Sequence, residues 1–162
     1  MIKAIERSDL PACLEVFHAG YETVALEFGL TEENCPDRGR ASLPLEKLVA
    51  EFEKGTLMFG YFSDDKIVGF LGMKMQENGV CKLDDIIVLP NFRGFGYGKE
   101  LLAHCKKKAK ELGAAKVQLG MIDDNKRLRK WYEENGFVNI GYIQYEGAPF
   151  IVGRMECQLS LL

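Results

Sequence analysis

Apolar residues recur at three- and four-residue spacing at Leu10, Cys13, Leu14, Phe17, Tyr21, Val24 and Phe28. That spacing puts them on one face of a helix. Ser8 is placed to cap it, Pro11 is tolerated in its first turn, and Gly29 ends it. Residues 1–6 alternate weakly and predict a short strand ahead of it. Residues 35–44, with prolines at both ends of the stretch, read as loop. Leu45, Leu48, Val49 and Phe52 then mark a second, shorter helix closed by Gly55.

The period changes after Gly55. Compact apolar runs at 57–62 and 67–75 flank the turn sequence Ser63-Asp64-Asp65-Lys66, which predicts a hairpin. Glu77-Asn78-Gly79 is a second turn, leading to a strand at 80–88. Three sequential strands with tight turns make an antiparallel meander. Leu101, Leu102, Cys105, Ala109 and Leu112 return to helical spacing and stop at Gly113. A strand at 116–122 follows, then a short helix carrying Leu128, Trp131 and Tyr132 on one face, ended by Gly136. Strands at 137–145 and 150–159 close the chain. The order β-α-α-β-β-β-α-β-α-β-β predicts a mixed α/β fold with an antiparallel first half and one βαβ crossover.

The chain has 162 residues, enough for one domain with a core that needs no metal or disulfide. Its composition, 47% hydrophobic and 28% charged, excludes a disordered or fibrous class. A net charge of −3 supplies no general field for nucleic acid or an anionic membrane. No run approaches the ~20 apolar residues of a membrane span, and charges occupy the place where a leader would be apolar. The expected location is cytoplasmic. Cys13, Cys35, Cys81, Cys105 and Cys157 form no CxxC pair, and only His18 and His104 could assist them. They read as free thiols rather than a zinc site.

The stretch with the most chemistry is Arg93-Gly94-Phe95-Gly96-Tyr97-Gly98-Lys99, directly after a predicted strand and directly before a helix. Glycine lets main-chain amides approach a ligand and adopt positive φ. A helix start adds unpaired N–H groups and a partial positive charge. Together they suit a phosphate or pyrophosphate, with Arg93 as a cation at the rim. Three glycines in five positions exceed what a ligand-free helix cap requires. A Walker A loop needs Ser or Thr after Gly98-Lys99, and Glu100 stands there. A dinucleotide-binding fingerprint needs G-x-x-G spacing and several βαβ units; neither is present.

These residues resemble the pyrophosphate-binding motif of the GNAT N-acetyltransferase superfamily, Q/R-x-x-G-x-G/A, matched at Arg93, Gly96 and Gly98. Val88-Leu89-Pro90 resembles that family's strand exit. A second family signature, N-x-x-A-x-x-x-Y-x-x-x-G-F, is matched at Asn125, Tyr132, Gly136 and Phe137, with Leu128 where alanine is usual. The two signatures span residues 83–137, about a third of the chain.

The resemblance implies acetyl-CoA as cosubstrate and transfer of its acetyl group to a primary amine by direct attack. It places the CoA pyrophosphate on the amides of residues 94–99 and the pantetheine arm along the edge of Ile86, Ile87 and Val88. The strand after the crossover helix splays away, and an amide near Val88 faces the thioester oxygen. Tyr132 takes the place of the proton donor to the leaving thiolate, and Asn125 stands beside the CoA arm. On spacing alone, Tyr132 is also a core residue and Asn125 a helix cap.

Four carboxylates are candidates for the base. Asp84 and Asp85 are expected on opposite faces of one strand, one in the cleft and the other in solvent or against a charge. Glu22 and Glu27 stand on the first helix, near the acceptor side that the resemblance implies. In the branch that acetylates ribosomal-protein N-termini, a glutamate stands five residues before the motif asparagine; Gly120 stands there here, which disfavours that substrate. Lys106, Lys107, Lys108 and Lys110 read as a solvated helix end. Lys126, Arg127, Arg129 and Lys130 form a second basic group, within range of the CoA 3′-phosphate. Two rivals remain: a sensor of the same fold that binds acyl-CoA without transfer, and an enzyme using another donor such as succinyl-CoA, which a basic cleft residue would favour. The acceptor pocket is expected from the two N-terminal helices, residues 31–44 and residues 145–150. The last strand, 150–159, offers an edge for a homodimer.

Overall fold

The computed structural model describes residues 1–160. Its elements follow the predicted order: β1 (Ile2–Ala4), α1 (Leu10–Glu27), α2 (Leu45–Glu53), β2 (Leu57–Ser63), β3 (Lys66–Met75), β4 (Val80–Val88), α3 (Tyr97–Glu111), β5 (Lys116–Ile122), α4 (Lys126–Glu134), β6 (Val138–Ile143) and β7 (Val152–Gln158). One sheet runs β1-β2-β3-β4-β5-β7-β6, antiparallel except where β4 and β5 pair in parallel across the α3 crossover.

Ser8 does not cap α1. It lies within a single 3-10 turn, Arg7–Asp9, and the Asp9 carboxylate accepts the Glu6 N–H at 2.9 Å. The turn between β2 and β3 is tight because Asp64 and Asp65 both adopt positive φ, 50° and 62°, matching the twist of a two-residue hairpin. The last two strands are shorter than predicted, and their arrangement corrects one expectation. Strand β7 lies between β5 and β6, hydrogen-bonded on both sides, so it offers no edge to a second copy; the outer strand is β6.

Two apolar clusters sandwich the sheet. Leu101, Leu102, Cys105 and Ala109 of α3 pack with Phe59, Leu71, Met73, Cys81 and Leu83. On the other face Leu10, Cys13, Val16 and Phe17 of α1 and Leu48 of α2 pack with Met58, Ile67, Phe70 and Ile87. Phe17 meets Phe70 edge-on, with ring centroids 4.7 Å apart. Gly20 lies inside α1, where glycine costs about 1 kcal/mol against alanine. Its reason is space, since a Cβ there would lie 2.0 Å from Ile87 Cγ2. The glycine lets α1 lie directly on β4, the strand that carries the site.

Candidate active site

The glycine-rich turn is an open cradle. Gly94 and Gly96 sit at φ +86° and +85°, and a Cβ on either would meet nothing within 4 Å. Gly96 is the left-handed N-cap of α3. Among the described residues no acceptor takes the amide hydrogens of Gly94, Phe95 or Gly96. Tyr97, Gly98 and Lys99 open the helix and have no partner within it. Successive amides around left-handed residues form a concavity for an anion, reinforced by the helix dipole. Tyr97 is held in place by stacking on Tyr61, centroids 4.1 Å apart, while Phe95 is exposed.

Arg93 does a different job from the one its charge suggests. Its Nε donates to Val88 O at 3.0 Å, Nη1 to Thr23 Oγ1 at 3.1 Å and Nη2 to Gly20 O at 3.0 Å. Three of its five N–H groups therefore fasten the turn to the end of β4 and to α1. The rim cation expected from the sequence is also a clamp, with two N–H groups outside these contacts.

Beyond the clamp the sheet divides. Strands β4 and β5 pair only over Val80–Lys116, Cys81–Val117 and Lys82–Gln118. From Leu83 onward the β4 edge facing β5, which includes Ile86, Ile87 and Val88, has no strand partner. A cavity of about 800 Å³ fills this opening. Tyr132, Leu128 and Asn125 line it from α4, and Tyr21 and Val24 from α1. Arg40 comes from the 31–44 loop, and Tyr145 and Phe150 from the connection between β6 and β7.

The adjacent aspartates are separated by a β-bulge. Gly72 pairs with Asp85 and Met73 with Leu83, so Asp84 is the extra residue. Strict alternation would put Leu83 and Asp85 on one face. Instead Leu83 joins the α3 cluster while Asp85 reaches the α1 side. The simple opposite-face expectation for Asp84 and Asp85 is replaced by this phase shift. Asp84 lines the cavity, 3.6 Å from Lys82 Nζ. Burial raises its pKa, with Lys82 pulling the other way.

Asp85 is 3% exposed and does not line the cavity. It accepts the Tyr21 hydroxyl at 2.6 Å, and Arg40 meets it at two points, Nε–Oδ1 2.7 Å and Nη2–Oδ2 2.9 Å. Arg40 also donates to Glu51 at 2.9 Å. Burial pushes Asp85 up to about 6, against the pull of Arg40 and of the Tyr21 hydrogen bond. Burial works against the Arg40 charge as well, but Asp85 and Glu51 together more than offset it, so Arg40 stays protonated. Within the network it is burial of Asp85 that brings a carboxyl toward neutral pH.

On α4, Asn125 caps the helix by accepting the Leu128 N–H at 3.2 Å. Tyr132 is 4% exposed, between the rings of Trp131 and Phe137 at 5.1 and 5.3 Å. Its hydroxyl has no hydrogen-bond partner among the described residues. Burial, then the fields of Cys105 and Asp85, raise its pKa, so it holds its proton. Glu22 and Glu27 stand off the cavity: Arg38 grips Glu22 at 2.7 and 2.8 Å, and Arg127 reaches Glu27 at 3.3 Å. Arg129 pairs with Asp123.

Residues 21–137 match the acetyltransferase (GNAT) family. The chain belongs to that family. It is 26% identical over 168 aligned positions to the uncharacterized N-acetyltransferase YjgM of Escherichia coli (strain K12), covering 100% of this chain and 93% of the relative. Its fold is similar to that of the PaiA N-acetyltransferase from Thermoplasma acidophilum, solved in complex with coenzyme A (TM-score 0.75, 21% identity, 98% of both chains). It is also similar to the ribosomal-protein-S18-alanine N-acetyltransferase from Escherichia coli (TM-score 0.77, 18% identity, 98% of this chain and 93% of that one).

Within this GNAT fold, sequence reasoning missed the Tyr21–Asp85–Arg40–Glu51 network and the cations on the cavity wall: Arg40, Lys74, Lys82 and Arg154. Tyr21 belongs to the apolar stripe of α1, and nothing in that stripe marks it as polar in use. The partners of Asp85 are 64 and 45 residues distant in sequence, beyond any local signal.

Proposed function

We propose that this GNAT protein transfers the acetyl group of acetyl-CoA to a primary amine. One observation carries the reading: a cradle of main-chain amides without acceptors of their own among the described residues follows the strand β4, whose edge toward β5 is unpaired from Leu83 onward. A ligand with a diphosphate at one end and a slender arm fits that path. Acetyl-CoA supplies an activated acyl carbonyl. The chain's own residues do the rest. Residues 94–99 hold the diphosphate through their amides. The free edge at Ile86, Ile87 and Val88 takes the arm as an added strand would. Asp84, on the cavity wall with its pKa raised, takes the proton that the amine must lose. Tyr132 gives a proton to the departing sulfur as the C–S bond breaks, leaving an amide and CoA. Asp85 is enclosed, so it orients Tyr21 and Arg40 rather than meeting the amine.

The test combines binding and turnover. Acetyl-CoA at ~100 Kd should add about 2.7 kcal/mol to stability, read as a rise in melting temperature. CoA release should then depend on an added amine. A melting temperature that ignores acetyl-CoA refutes the proposal. Protection without release across amines of every charge class favours the sensor.

A further inference from the structure

The wall of the cavity near the start of β4 is more basic than the fold requires. Lys74 of β3 stands directly opposite Lys82 of β4 in register, and Lys82 opposite Gln118 of β5. Like charges facing each other across a sheet are destabilising. Arg154 of β7 comes from the other side, with Nη2 3.5 Å from Gln118 Oε1. All three cations line the cavity.

Their compensation is thin. Lys82 has Asp84 at 3.6 Å; among the described residues Lys74 has no ion pair and Arg154 has only its long contact with Gln118. The other nearby acids are engaged. Glu51 and Asp85 hold Arg40, and Glu156 holds Lys116 at 3.1 Å and accepts from Gln118 at 2.7 Å. Arg38, by contrast, is paired closely with Glu22 at 2.7 Å.

The phosphates of a donor seated in the cradle do not reach this wall. Lys82 precedes Val88 by six residues, about 20 Å along a strand rising ~3.3 Å per residue. The unmatched charge therefore belongs to the acceptor side. We infer that the acceptor is an amine that also carries an anionic group, a carboxylate or a phosphate, held by Lys74, Lys82 and Arg154. The Asp84 carboxylate lies 3.6 Å from Lys82 Nζ, so the ammonium meets a carboxylate immediately beside the cationic wall. That separation suits amino acids and short aminoalkyl phosphates. A polyamine would be repelled at one end. The inference rests on the acetyl-transfer reading above and narrows it to a substrate class.

The experiment measures CoA release from acetyl-CoA with matched acceptors: α-amino acids against their amides, aminoalkyl phosphates against the parent amino alcohols, and a polyamine. Wild type, Lys82→Gln and Lys82→Gln/Arg154→Gln are compared, and the melting shift with acetyl-CoA is recorded for each. The anionic member of a pair should be preferred on the order of tenfold or more in kcat/KM, because a site built for a charge-assisted bond rejects the analogue lacking it. Which pair shows the preference separates carboxylate from phosphate. In the double variant the preference should fall toward parity through the KM of the anionic member, with the acetyl-CoA shift intact. Preference for neutral amines or the polyamine overturns the inference. So does a panel with no accepted member while acetyl-CoA still protects, or a loss shared equally by both members of each pair. If the variants instead abolish use of succinyl-CoA with neutral amines, the wall serves the donor. Failure of the underlying reading looks different: wild type would then not be protected by acetyl-CoA at all.

Discussion

Asp85→Asn tests the buried network directly. The substitution keeps size and both acceptor contacts of one oxygen, so Tyr21 and Arg40 still have a partner, and Glu51 still neutralises Arg40 at 2.9 Å. In the wild type the Asp85 pKa rises on folding from its ordinary 3.8 to about 6. That change corresponds to about 3 kcal/mol between the two protonation states. The folded state therefore binds the proton more tightly than the unfolded one, and stability rises as pH falls through 6, levelling off below 3.8. From pH 8 to pH 5 the gain is roughly 1–2 kcal/mol, since a group of pKa near 6 is nine-tenths protonated at pH 5 while its unfolded counterpart is still mostly ionised. The variant lacks this term. Urea denaturation of both proteins at pH 8, 7, 6 and 5 isolates it, because titrating groups outside the Asp85 network cancel in the difference. Wild type should gain on the variant by that amount as the solution is acidified. A difference that stays flat, or that favours the variant at pH 5, would show that Arg40 stabilises the Asp85 carboxylate more than burial penalises it.

Gly96→Ala should lower stability by about 1–2 kcal/mol, the cost of a left-handed residue with a Cβ, while abolishing most of the thermal protection by acetyl-CoA; unchanged protection would move the ligand away from the cradle. Tyr132→Phe should reduce kcat by on the order of a hundredfold with acetyl-CoA protection retained, because the hydroxyl is the group lost and the ring still fills its site; unchanged kcat on an accepted amine would return Tyr132 to a packing role.

The elements were legible in the sequence because each is specified locally. The α1 stripe, the strand 80–88 and the turn at Asp64-Asp65 are set by side-chain period and turn chemistry within a few residues. The open cradle is likewise local, a matter of glycines ahead of a helix. What escaped was long-range. Nothing in residues 150–159 says whether that strand will lie outside or inside the sheet, because spatial order depends on which neighbour buries Met155 and Cys157. The bulge at Asp84 has no signature in its own residues; its cause is the need for Leu83 to face α3 while Ile87 faces α1, a conflict visible only once both helices are in place. Arg93 shows the same limit from the other side. Its position in the motif suggested a ligand contact and gave no sign of the clamp, whose three acceptors lie on Gly20, Thr23 and Val88.

That clamp bears on how the two halves of the site are held together. The cradle belongs to the start of α3, while the cationic wall belongs to β3, β4 and β7 and the rest of the cavity lining includes Tyr21 and Val24 of α1. Arg93 joins the turn to α1 at Gly20, the residue whose missing side chain lets α1 pack on Ile87 of β4. One turn later the same helix presents Val24 to the cavity, and Tyr21, next to Gly20, donates to Asp85 beside the bulge. The position of the acceptor side is thereby fixed relative to the anion cradle by the Arg93 guanidinium, which donates to two main-chain carbonyls and the Thr23 hydroxyl. A cleft that must bring an amine to a thioester needs that kind of register, since small errors in placement are costly to rate.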